Sequence, residues 1–431
     1  MKFLASLIAL VIVVVVVLFG LSGGTHLSVQ PAVKAVGMAT PVKLRMENPH
    51  GVRRITAWVE QGGAHHKIFE QSASSHRVMF WRHHDAPGEV TFEAGKNKAP
   101  ALKDGKARMI VEAVSNDFRG RSDRLEWEVE VATQPPRVQP DELQHYINQG
   151  GAELITFLPS GYWTDSGAKV REQHFRSFPL PGKSGWRFSI FPYAWDMPVE
   201  TAPLVYATNP TGTETIGRFW FRIFPKKFRL REMDLSDAFL EKVVNQIDPG
   251  GQGDLLQRFL KINGELRRKN NQTLADLRWK TEEKVLWHGA FIHWGKEEAL
   301  FADVRDYIYK GKKVDRQVHL GFDLPDLAHS PVNAANDGRV IYAGDLGIFG
   351  NCIVLDHGYT VQSIYGHLSE INVKVGEMVK KGQPMGRSGS TGLAGGDHLH
   401  FGMQVNGVQV NPVEWWDEHW IKDRILSKLN Q

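Results

Sequence analysis

The chain has 431 residues, of which 42% are hydrophobic and 23% are charged, and it contains 42 glycines. This composition excludes wholesale disorder, and the length predicts about two to four domains. The formal net charge of +4 is small for this length and does not indicate a nucleic-acid-binding protein. The single cysteine, Cys352, excludes both an intramolecular disulfide and a cysteine metal site.

The N-terminal segment is an apolar run from residue 3 to residue 21, in which Ser6 is the only clearly polar residue. At about 1.5 Å per residue, this run spans roughly 28 Å, enough to cross the hydrocarbon core of a bilayer. We therefore predict a transmembrane helix within residues 1–24. The segment after the run lacks an Ala-x-Ala cleavage site, which favours an uncleaved signal anchor over a cleaved signal. Lys2 favours an orientation with the rest of the chain outside the cytoplasm.

The next part of the chain shows short segments in which apolar and polar residues alternate. Residues 25–40 have few periodic features and are expected to form a tether. Seven strands are predicted within 41–134, at residues 42–46, 55–60, 67–71, 77–81, 90–93, 107–114 and 125–131. This number of strands over this length predicts an immunoglobulin-like β-sandwich. The pattern leaves open whether it is a binding module or a plain stalk.

Prolines at 135, 136 and 140 mark a domain boundary. A second β domain is predicted over 140–232, from strand patterns at residues 154–158, 186–191, 204–208 and 218–224. A helical connector is predicted over 233–283, because Ser236 and Asp254 are typical N-caps and apolar residues follow each of them at helical spacing. The basic run Arg267-Arg268-Lys269 is interpreted as a solvated face of this connector.

Residues 284–431 return to a β pattern, in which glycines punctuate short strands, and they hold the residues with metal-binding chemistry. These residues are His319 and Asp323 in a His-x-x-x-Asp, His367 in a Gly-His-Leu, and His398 and His400 in a His-x-His. A catalytic zinc ion takes three protein ligands of these types and keeps a fourth position open. A single histidine among the 18 in the chain is more often structural, but the combined pattern favours a metal site.

The spacing of these residues predicts their geometry. Residues two apart in a strand point to the same face, so His398 and His400 are expected side by side, roughly 6–7 Å apart. His319 and Asp323 would lie roughly 13 Å apart in a flat strand, which is too far for one ion. Gly321 between them therefore predicts a bend or a bulge.

These motifs resemble the signature of the lysostaphin-type zinc metalloendopeptidases, which cut peptide cross-links in bacterial cell walls. The resemblance covers roughly the last third of the chain and includes Gly338-Arg339-Val340, Gly350-Asn351, Asp356-His357-Gly358, residues 375–383 and Gly389-Ser390-Thr391-Gly392. It implies a C-terminal domain of two antiparallel β-sheets with a narrow groove. It also implies that His319, Asp323 and His400 bind one Zn²⁺ and that His367 and His398 are the catalytic histidines.

Such histidines can move the water's proton, stabilise the oxyanion and protonate the leaving amine. The His-Glu-x-x-His arrangement, in which a glutamate is the base, is not the pattern here. One departure from the family pattern is Gly395-Gly396-Asp397, which precedes the final histidine pair. Asp397 is expected to face solvent rather than to orient His398.

The sequence as a whole predicts a multidomain, mainly β protein that acts as a zinc-dependent endopeptidase on peptide cross-links of peptidoglycan. It is expected to be a single-pass protein of the bacterial cytoplasmic membrane, with its catalytic domain in the periplasm or on the extracellular side. The expected partners are peptidoglycan stem peptides and the membrane, without nucleic acid, and protein partners stay open. The alternative is a non-catalytic or autoinhibited wall-binding scaffold that regulates another wall hydrolase. A carrier module, which the hairpin at residues 375–382 resembles, is disfavoured because the Met-Lys pair of such modules is missing.

Overall fold

The structure is a computed structural model that describes residues 2–77 and 79–429. The chain is mainly β and divides into two compact units. The first comprises Met1–Arg137, Ser160–Asp165 and Ala207–Thr215, and the second comprises Val138–Pro159, Ser166–Tyr206 and Ile216–Gln431. The finer boundaries expected at residues 140, 233 and 284 stay predictions.

The first unit begins with helix α1 (Lys2–Leu21). Its segment Phe3–Leu21 is long and apolar enough to cross a membrane, in agreement with the predicted span. None of this segment is buried inside the protein. Such a helix near the N-terminus is typical of a membrane anchor or of a signal sequence.

The rest of the first unit is built from two β-sheets over one apolar core. The strands are β1 (His26–Val29), β2 (Ala35–Val36), β3 (Thr40–Glu47), β4 (Val52–Gln61), β5 (Ala64–Ser72), β6 (Gly88–Ala94), β7 (Gly105–Ser115) and β8 (Ser122–Val131). One sheet has the order β1-β3-β6 and the other the order β2-β8-β7-β4-β5. Leu44, Phe92, Val59 and Val111 are among the residues of the shared core. The immunoglobulin-like topology stays a prediction.

Six of the seven strands predicted in this region are confirmed, and two other predictions are wrong. Residues 25–40 do not form a tether, because β1 pairs antiparallel with β3, and Leu27 and Val29 pack against the core. A strand of four residues is too short to show a clear alternation. The strand predicted at residues 77–81 is replaced by a 3₁₀ turn, Phe80–Arg82, in which Phe80 is fully buried. Val78 lies outside the described residues.

Between residues 137 and 234 the chain forms mostly short strands. They are β9 (Arg137–Pro140), β10 (Gln144–Asn148), β11 (Ala152–Ser160), β12 (Asp165–Val170), β13 (Gln173–Arg176), β14 (Phe178–Pro179), β15 (Arg187–Pro192), β16 (Pro203–Thr208), β17 (Glu214–Gly217), β18 (Trp220–Phe224) and β19 (Leu230–Asp234). Two four-stranded sheets have the orders β14-β15-β11-β9 and β13-β12-β16-β17, and β10 pairs in parallel with β18. The four strands predicted here are confirmed as β11, β15, β16 and β18.

Three helices follow, α2 (Asp237–Ile247), α3 (Leu255–Lys261) and α4 (Arg267–Asp276). Both predicted caps are confirmed, because Ser236 Oγ accepts a hydrogen bond from the Phe239 amide and the Asp254 carboxylate accepts one from the Gln257 amide. A π-helical turn, Ile262–Leu266, joins α3 directly to α4. Such turns widen a helix locally and often occur at functional sites.

The C-terminal part is again β. Its strands are β20 (Asp303–Tyr309), β21 (Lys312–His319), β22 (Phe322–Leu324), β23 (Pro331–Asn333), β24 (Gly338–Asp345), β25 (Asn351–Asp356), β26 (Val361–Leu368), β27 (Glu370–Ile371), β28 (Met378–Val379), β29 (Pro384–Arg387), β30 (Leu399–Val405) and β31 (Val408–Val410), followed by helices α5 (Val413–Trp416) and α6 (Glu418–Ile421). A seven-stranded sheet has the order β22-β30-β26-β25-β24-β28, and β31 pairs with β30. Two three-stranded sheets have the orders β23-β29-β27 and β19-β20-β21.

The central strands β25 and β26 of the seven-stranded sheet are buried on both faces, and β26 is fully buried although it contains polar residues. Cys352, Val354 and Ile364 on one face pack in the same core as residues of α2, α3 and α4. Ile353 and Tyr365 on the other face belong to a core that includes residues of β11, β14 and β15. The helices therefore pack directly on the seven-stranded sheet.

Candidate metal centre

Three of the predicted site residues, Asp323, His367 and His400, are positioned by two neighbouring strand pairs of the seven-stranded sheet. Asp323 in β22 lies opposite His400 in β30 in the antiparallel register. On the other side of β30, Gly366 in β26 lies opposite His400, and His367 is the next residue along β26. The central strand therefore carries His400 between Asp323 and His367.

The other two histidines reach the site from outside these paired positions. His319 is the last residue of β21, so it belongs to a different sheet from Asp323. The chain leaves one sheet after His319 and enters the other at Phe322, which brings the two residues together as the predicted bend requires. His398 lies just before β30, where it forms an isolated β-bridge with Gly389. The structure therefore brings all five predicted site residues together.

Three of these residues direct one atom each to a common point. Nε2 of His319 lies 2.9 Å from Oδ1 of Asp323 and 3.0 Å from Nδ1 of His400. Nδ1 of His400 lies 3.1 Å from the same Oδ1. Zinc bonds to nitrogen and oxygen are about 2.0–2.1 Å long, so tetrahedral ligand atoms lie about 3.3 Å apart. The three atoms are thus spaced as a small tetrahedral cation requires.

The protonation states of these residues also fit a cation. Nδ1 of His319 donates a hydrogen bond to the Leu300 carbonyl at 3.1 Å, which leaves a lone pair on Nε2. Burial lowers the pKa of His319 and lowers that of His400 to about 4, so both rings are neutral at pH 7. Burial opposes the ionisation of Asp323, but interactions with the three histidines hold its pKa well below the usual value. Two neutral imidazoles and one carboxylate are the donor set of a divalent metal.

Gly321 has a steric role that differs from the backbone flexibility expected of it. A Cβ atom at this position would lie 2.6 Å from Cε1 and Nε2 of His400 and 2.8 Å from the carbonyl oxygen of Phe401. The same Nε2 is buried and has no hydrogen-bond partner among the described residues. Packing, including packing against the backbone at Gly321, therefore holds the imidazole of His400 in place.

His367 is buried beside the three converging atoms. Its Nδ1 donates a hydrogen bond to the Thr391 carbonyl at 2.8 Å, so its Nε2 is the nitrogen left for chemistry. Burial lowers the pKa of His367 well below its usual value, and the neighbouring histidines add to this effect. Its backbone has φ +63°, a left-handed conformation that is uncommon for a residue with a side chain and often occurs at functional sites.

His398 lies next to His367, with 4.8 Å between the ring centroids. Its Nδ1 donates to the Gly396 carbonyl at 2.9 Å, and its Nε2 lies 3.4 Å from Oδ1 of Asp323. Burial disfavours the charged ring, but the Asp323 carboxylate outweighs this effect and raises the pKa of His398. The two histidines therefore present two Nε2 atoms with different proton affinities.

Arg305 is a site residue that sequence reasoning missed. It lies on β20, and its Nη2 donates to Oδ2 of Asp323 at 2.8 Å, so the two carboxylate oxygens have separate partners. Its side chain is 17% exposed. An arginine in an alternating strand carries no sequence signal of this role.

The expected exposure of Asp397 is wrong. Its carboxylate accepts hydrogen bonds from Ser388 Oγ at 2.6 Å and from the His329 amide at 3.2 Å. Its side chain is 19% exposed because it ties together two loops beside the site. It does not orient His398, whose Nδ1 contacts the Gly396 carbonyl.

The site opens into a cavity of about 290 Å³. The five predicted site residues line this cavity. Residues that precede them in the chain also line it, among them Arg231, Phe239, Arg267, Arg305 and Tyr307. The helices and the β19-β20-β21 sheet therefore shape the space above the candidate metal centre.

The fold and the site define a β-sheet domain with a candidate three-ligand metal centre beside two further histidines, an arrangement suited to metal-assisted hydrolysis. Residues 317–412 match the model of the family described as Peptidase family M23. This segment contains all five predicted site residues, and the chain carries a domain of this family in its C-terminal part.

Curated relatives match a similar length of sequence. The DD-carboxypeptidase/endopeptidase Mpg of Neisseria meningitidis is 37% identical over 97 residues, which are 22% of this chain and 22% of that protein. The peptidoglycan DD-endopeptidase ShyA of Vibrio cholerae is 40% identical over 96 residues, again 22% of each. The chain thus spans about a fifth of the length of the curated relatives it matches.

This chain is also similar to solved structures. A crystal structure from Pseudomonas aeruginosa, described as an M23 peptidase, is 19% identical, covers 62% of this chain and 94% of that chain, and has a TM-score of 0.39. The antimicrobial peptidase lysostaphin from Staphylococcus simulans is 31% identical, covers 30% of this chain and 53% of that chain, and has a TM-score of 0.25.

Proposed function

We propose that this chain is a zinc-dependent endopeptidase that hydrolyses peptide cross-links of bacterial peptidoglycan. The observation that carries the proposal is the convergence of one atom each from His319, Asp323 and His400, at 2.9–3.1 Å, beside His367 and His398. The family of the domain and the activities named for its relatives support peptidoglycan as the substrate.

His319, Asp323 and His400 are the proposed ligands of one Zn²⁺ ion, through Nε2, Oδ1 and Nδ1 respectively. A bound zinc ion polarises a carbonyl group and lowers the pKa of water, which supplies a Lewis acid and a nucleophile. Arg305 holds Oδ2 of Asp323, so that Oδ1 alone faces the histidines. The Leu300 carbonyl fixes the tautomer of His319.

His367 and His398 are the proposed catalytic residues. The Thr391 and Gly396 carbonyls occupy their Nδ1 atoms, so protons are exchanged at Nε2 in both. Neutral His367 can accept a proton, and His398, whose pKa is raised, can donate one to the leaving amine or to the oxyanion. The two roles require two nitrogens that differ in proton affinity.

Helix α1 supports a location at the cytoplasmic membrane, with the catalytic domain in the periplasm or on the extracellular side. Its apolar segment of 19 residues is long enough to span the bilayer. Peptidoglycan lies outside that membrane, so an anchor with the remaining chain outside would place the enzyme beside its substrate. The membrane and the stem peptides are the proposed partners.

The test is a digestion of purified peptidoglycan by the full chain in detergent micelles, with and without a zinc chelator. Chelator-sensitive loss of cross-linked muropeptide dimers, detected by mass spectrometry, is the expected result. A zinc-loaded protein that releases nothing would contradict the proposal and favour a wall-binding scaffold that regulates another hydrolase.

Two variants separate the proposed roles. His400→Ala is expected to lose bound zinc and activity, because it removes one of three ligands. His367→Ala is expected to retain zinc and to lose about 10²–10⁴-fold in rate, the usual contribution of one acid-base group. Zinc content is measured by mass spectrometry, with His288→Ala as the control because its side chain is 71% exposed. Equal loss of zinc in both site variants would contradict the assignment.

A further inference from the structure

Two arginines from outside the family-matched segment line the cavity of the candidate metal centre. Arg305 lies on β20, and Arg267 is the first residue of α4. The interpretation of the Arg267-Arg268-Lys269 run as a solvated face is wrong for its first member. Arg268 and Lys269 are exposed, whereas Arg267 is partly buried and turns into the cavity.

The guanidinium of Arg267 is held by a buried polar relay. Its Nη2 donates to Oδ1 of Asn263 at 2.6 Å, and its Nε lies 3.2 Å from the same oxygen. Asn263 is fully buried in the π-helical turn, and its Nδ2 donates to Oδ2 of Asp315 at 2.7 Å. An arginine that merely faced solvent would not need this support. The relay fixes one edge of the guanidinium and leaves the other toward the cavity.

The two guanidinium groups differ in how the described residues balance their charge. Among the described residues, no carboxylate forms an ion pair with Arg267, and Arg305 pairs with Asp323. Nε of Arg305 is buried and has no hydrogen-bond partner in the part of the chain that the structure describes. Burial lowers the pKa of Arg267, and the charge of Arg305 adds to that effect, although Tyr307 and Asp315 oppose it. Arg267 is thus a partly buried guanidinium without an ion pair among the described residues, and an anion in the cavity would stabilise it.

We propose that Arg267 and Arg305 form a subsite for a carboxylate of the substrate, next to the scissile bond. This inference rests on the proposed peptidase function. Two guanidinium groups present planar sets of donors that match a carboxylate. Arg305 contacts the same Asp323 that faces the two proposed zinc-binding histidines, so the subsite lies within one or two residue lengths of the reacting carbonyl, at about 3.5 Å per residue.

The chemistry of a peptide bond identifies which carboxylate this is. The α-carboxyl group of the residue on the carbonyl side is consumed in the bond. A free α-carboxylate beside the scissile bond must therefore belong to the residue that supplies the amine. Such a residue is either a C-terminal amino acid or the centre of a diamino acid whose second amino group forms the cross-link.

The test compares two cross-linked muropeptide dimers that differ only in this group, one with the free carboxylate and one with the carboxamide. The full-length wild-type protein in detergent micelles is expected to cleave the acid with a kcat/KM at least about 10-fold above that for the amide, because hydrogen bonds to a charged group are strong. Arg267→Gln is expected to lower kcat/KM for the acid by about 10–100-fold and to leave the amide within about twofold.

Arg268→Gln is a matched control, because Arg268 is exposed and the substitution removes the same charge from the same helix. This variant is expected to cleave both dimers like the wild type. Bound zinc and the melting temperature are measured for each variant. Equal cleavage of acid and amide by the wild type would overturn the subsite and leave the peptidase proposal intact. Cleavage of neither dimer by the zinc-loaded wild type would overturn the proposed function and this inference with it. The wild-type comparison does not depend on the folding of any variant.

Discussion

The substitution Gly321→Ala tests the candidate metal centre without removing any proposed ligand. The added Cβ would lie 2.6 Å from Cε1 and Nε2 of His400 and 2.8 Å from the backbone oxygen of Phe401. The backbone oxygen is fixed in the paired strand β30 and cannot retreat. The imidazole of His400 must therefore move.

The size of this movement follows from the contact distance. An ordinary van der Waals contact begins near 3.4 Å, so the ring must retreat by about 0.8 Å. Metal–ligand distances tolerate only about 0.2 Å, so the displaced Nδ1 no longer meets the other two ligand atoms. We expect zinc affinity to fall by at least about 10-fold, the lower end of the effect of changing a residue that supports a ligand.

The assay is a competition titration of zinc against a chromophoric chelator, with the melting temperature recorded alongside. Gly250→Ala is the control, because its Cβ would have no atom within 4 Å and its backbone is not left-handed. A Gly321→Ala protein with wild-type zinc affinity and wild-type hydrolysis would refute the steric argument.

Two further predictions concern stability. Burial raises the pKa of Glu414 from 4.5 to about 7, so this group stabilises the fold fully below pH 4.5, and its contribution is lost as the pH rises through 7. The loss amounts to about 3 kcal/mol and is expected to be absent in Glu414→Gln, which denaturant titrations at several pH values would detect. Lys428 Nζ lies 2.6 Å from Oε1 of the fully buried Glu153. Lys428→Met is expected to lower the free energy of unfolding by about 3 kcal/mol, the low end for removing one partner of a buried ion pair, because the His145 ring still faces the carboxylate at 3.6 Å. The exposed Lys422→Met is expected to change it little. An equal effect of both lysine substitutions would contradict this assignment.

Sequence reasoning found the residues whose chemistry is visible in local spacing. The period of a strand predicts that His398 and His400 lie side by side; both line the same cavity, although His398 precedes β30. The helix caps at Ser236 and Asp254 follow from their side-chain chemistry. The membrane-spanning length of residues 3–21 could be predicted equally directly, because comparing the length of an apolar helix with the thickness of a bilayer requires no knowledge of tertiary contacts.

The features that were missed depend on contacts between distant parts of the chain. Arg305 lies in an alternating strand, and its contact with Asp323 forms only when β20 packs beside β22. Arg267 was assigned to solvent because its two successors are indeed exposed. Gly321 is predicted to allow a bend of the backbone, whereas it is the ring of His400, distant in sequence, that leaves no room for a side chain at this position.

The parallel pairing of β19 with β20 has a consequence for how the peptidase domain can be separated from the rest of the protein. Leu230–Asp234 covers one edge of Asp303–Tyr309, although the helices α2 to α4 lie between them in the sequence. A fragment that starts at residue 284 would keep β20 but lose its neighbour, and unpaired edges of this kind promote aggregation. The uncovered strand is the one that carries Arg305, so the cut would loosen the support of Asp323 while leaving all five histidine and aspartate positions in place. A fragment that keeps the pairing of β20 must therefore begin at or before residue 230, and one that also keeps the core shared with β11, β14 and β15 must begin earlier still.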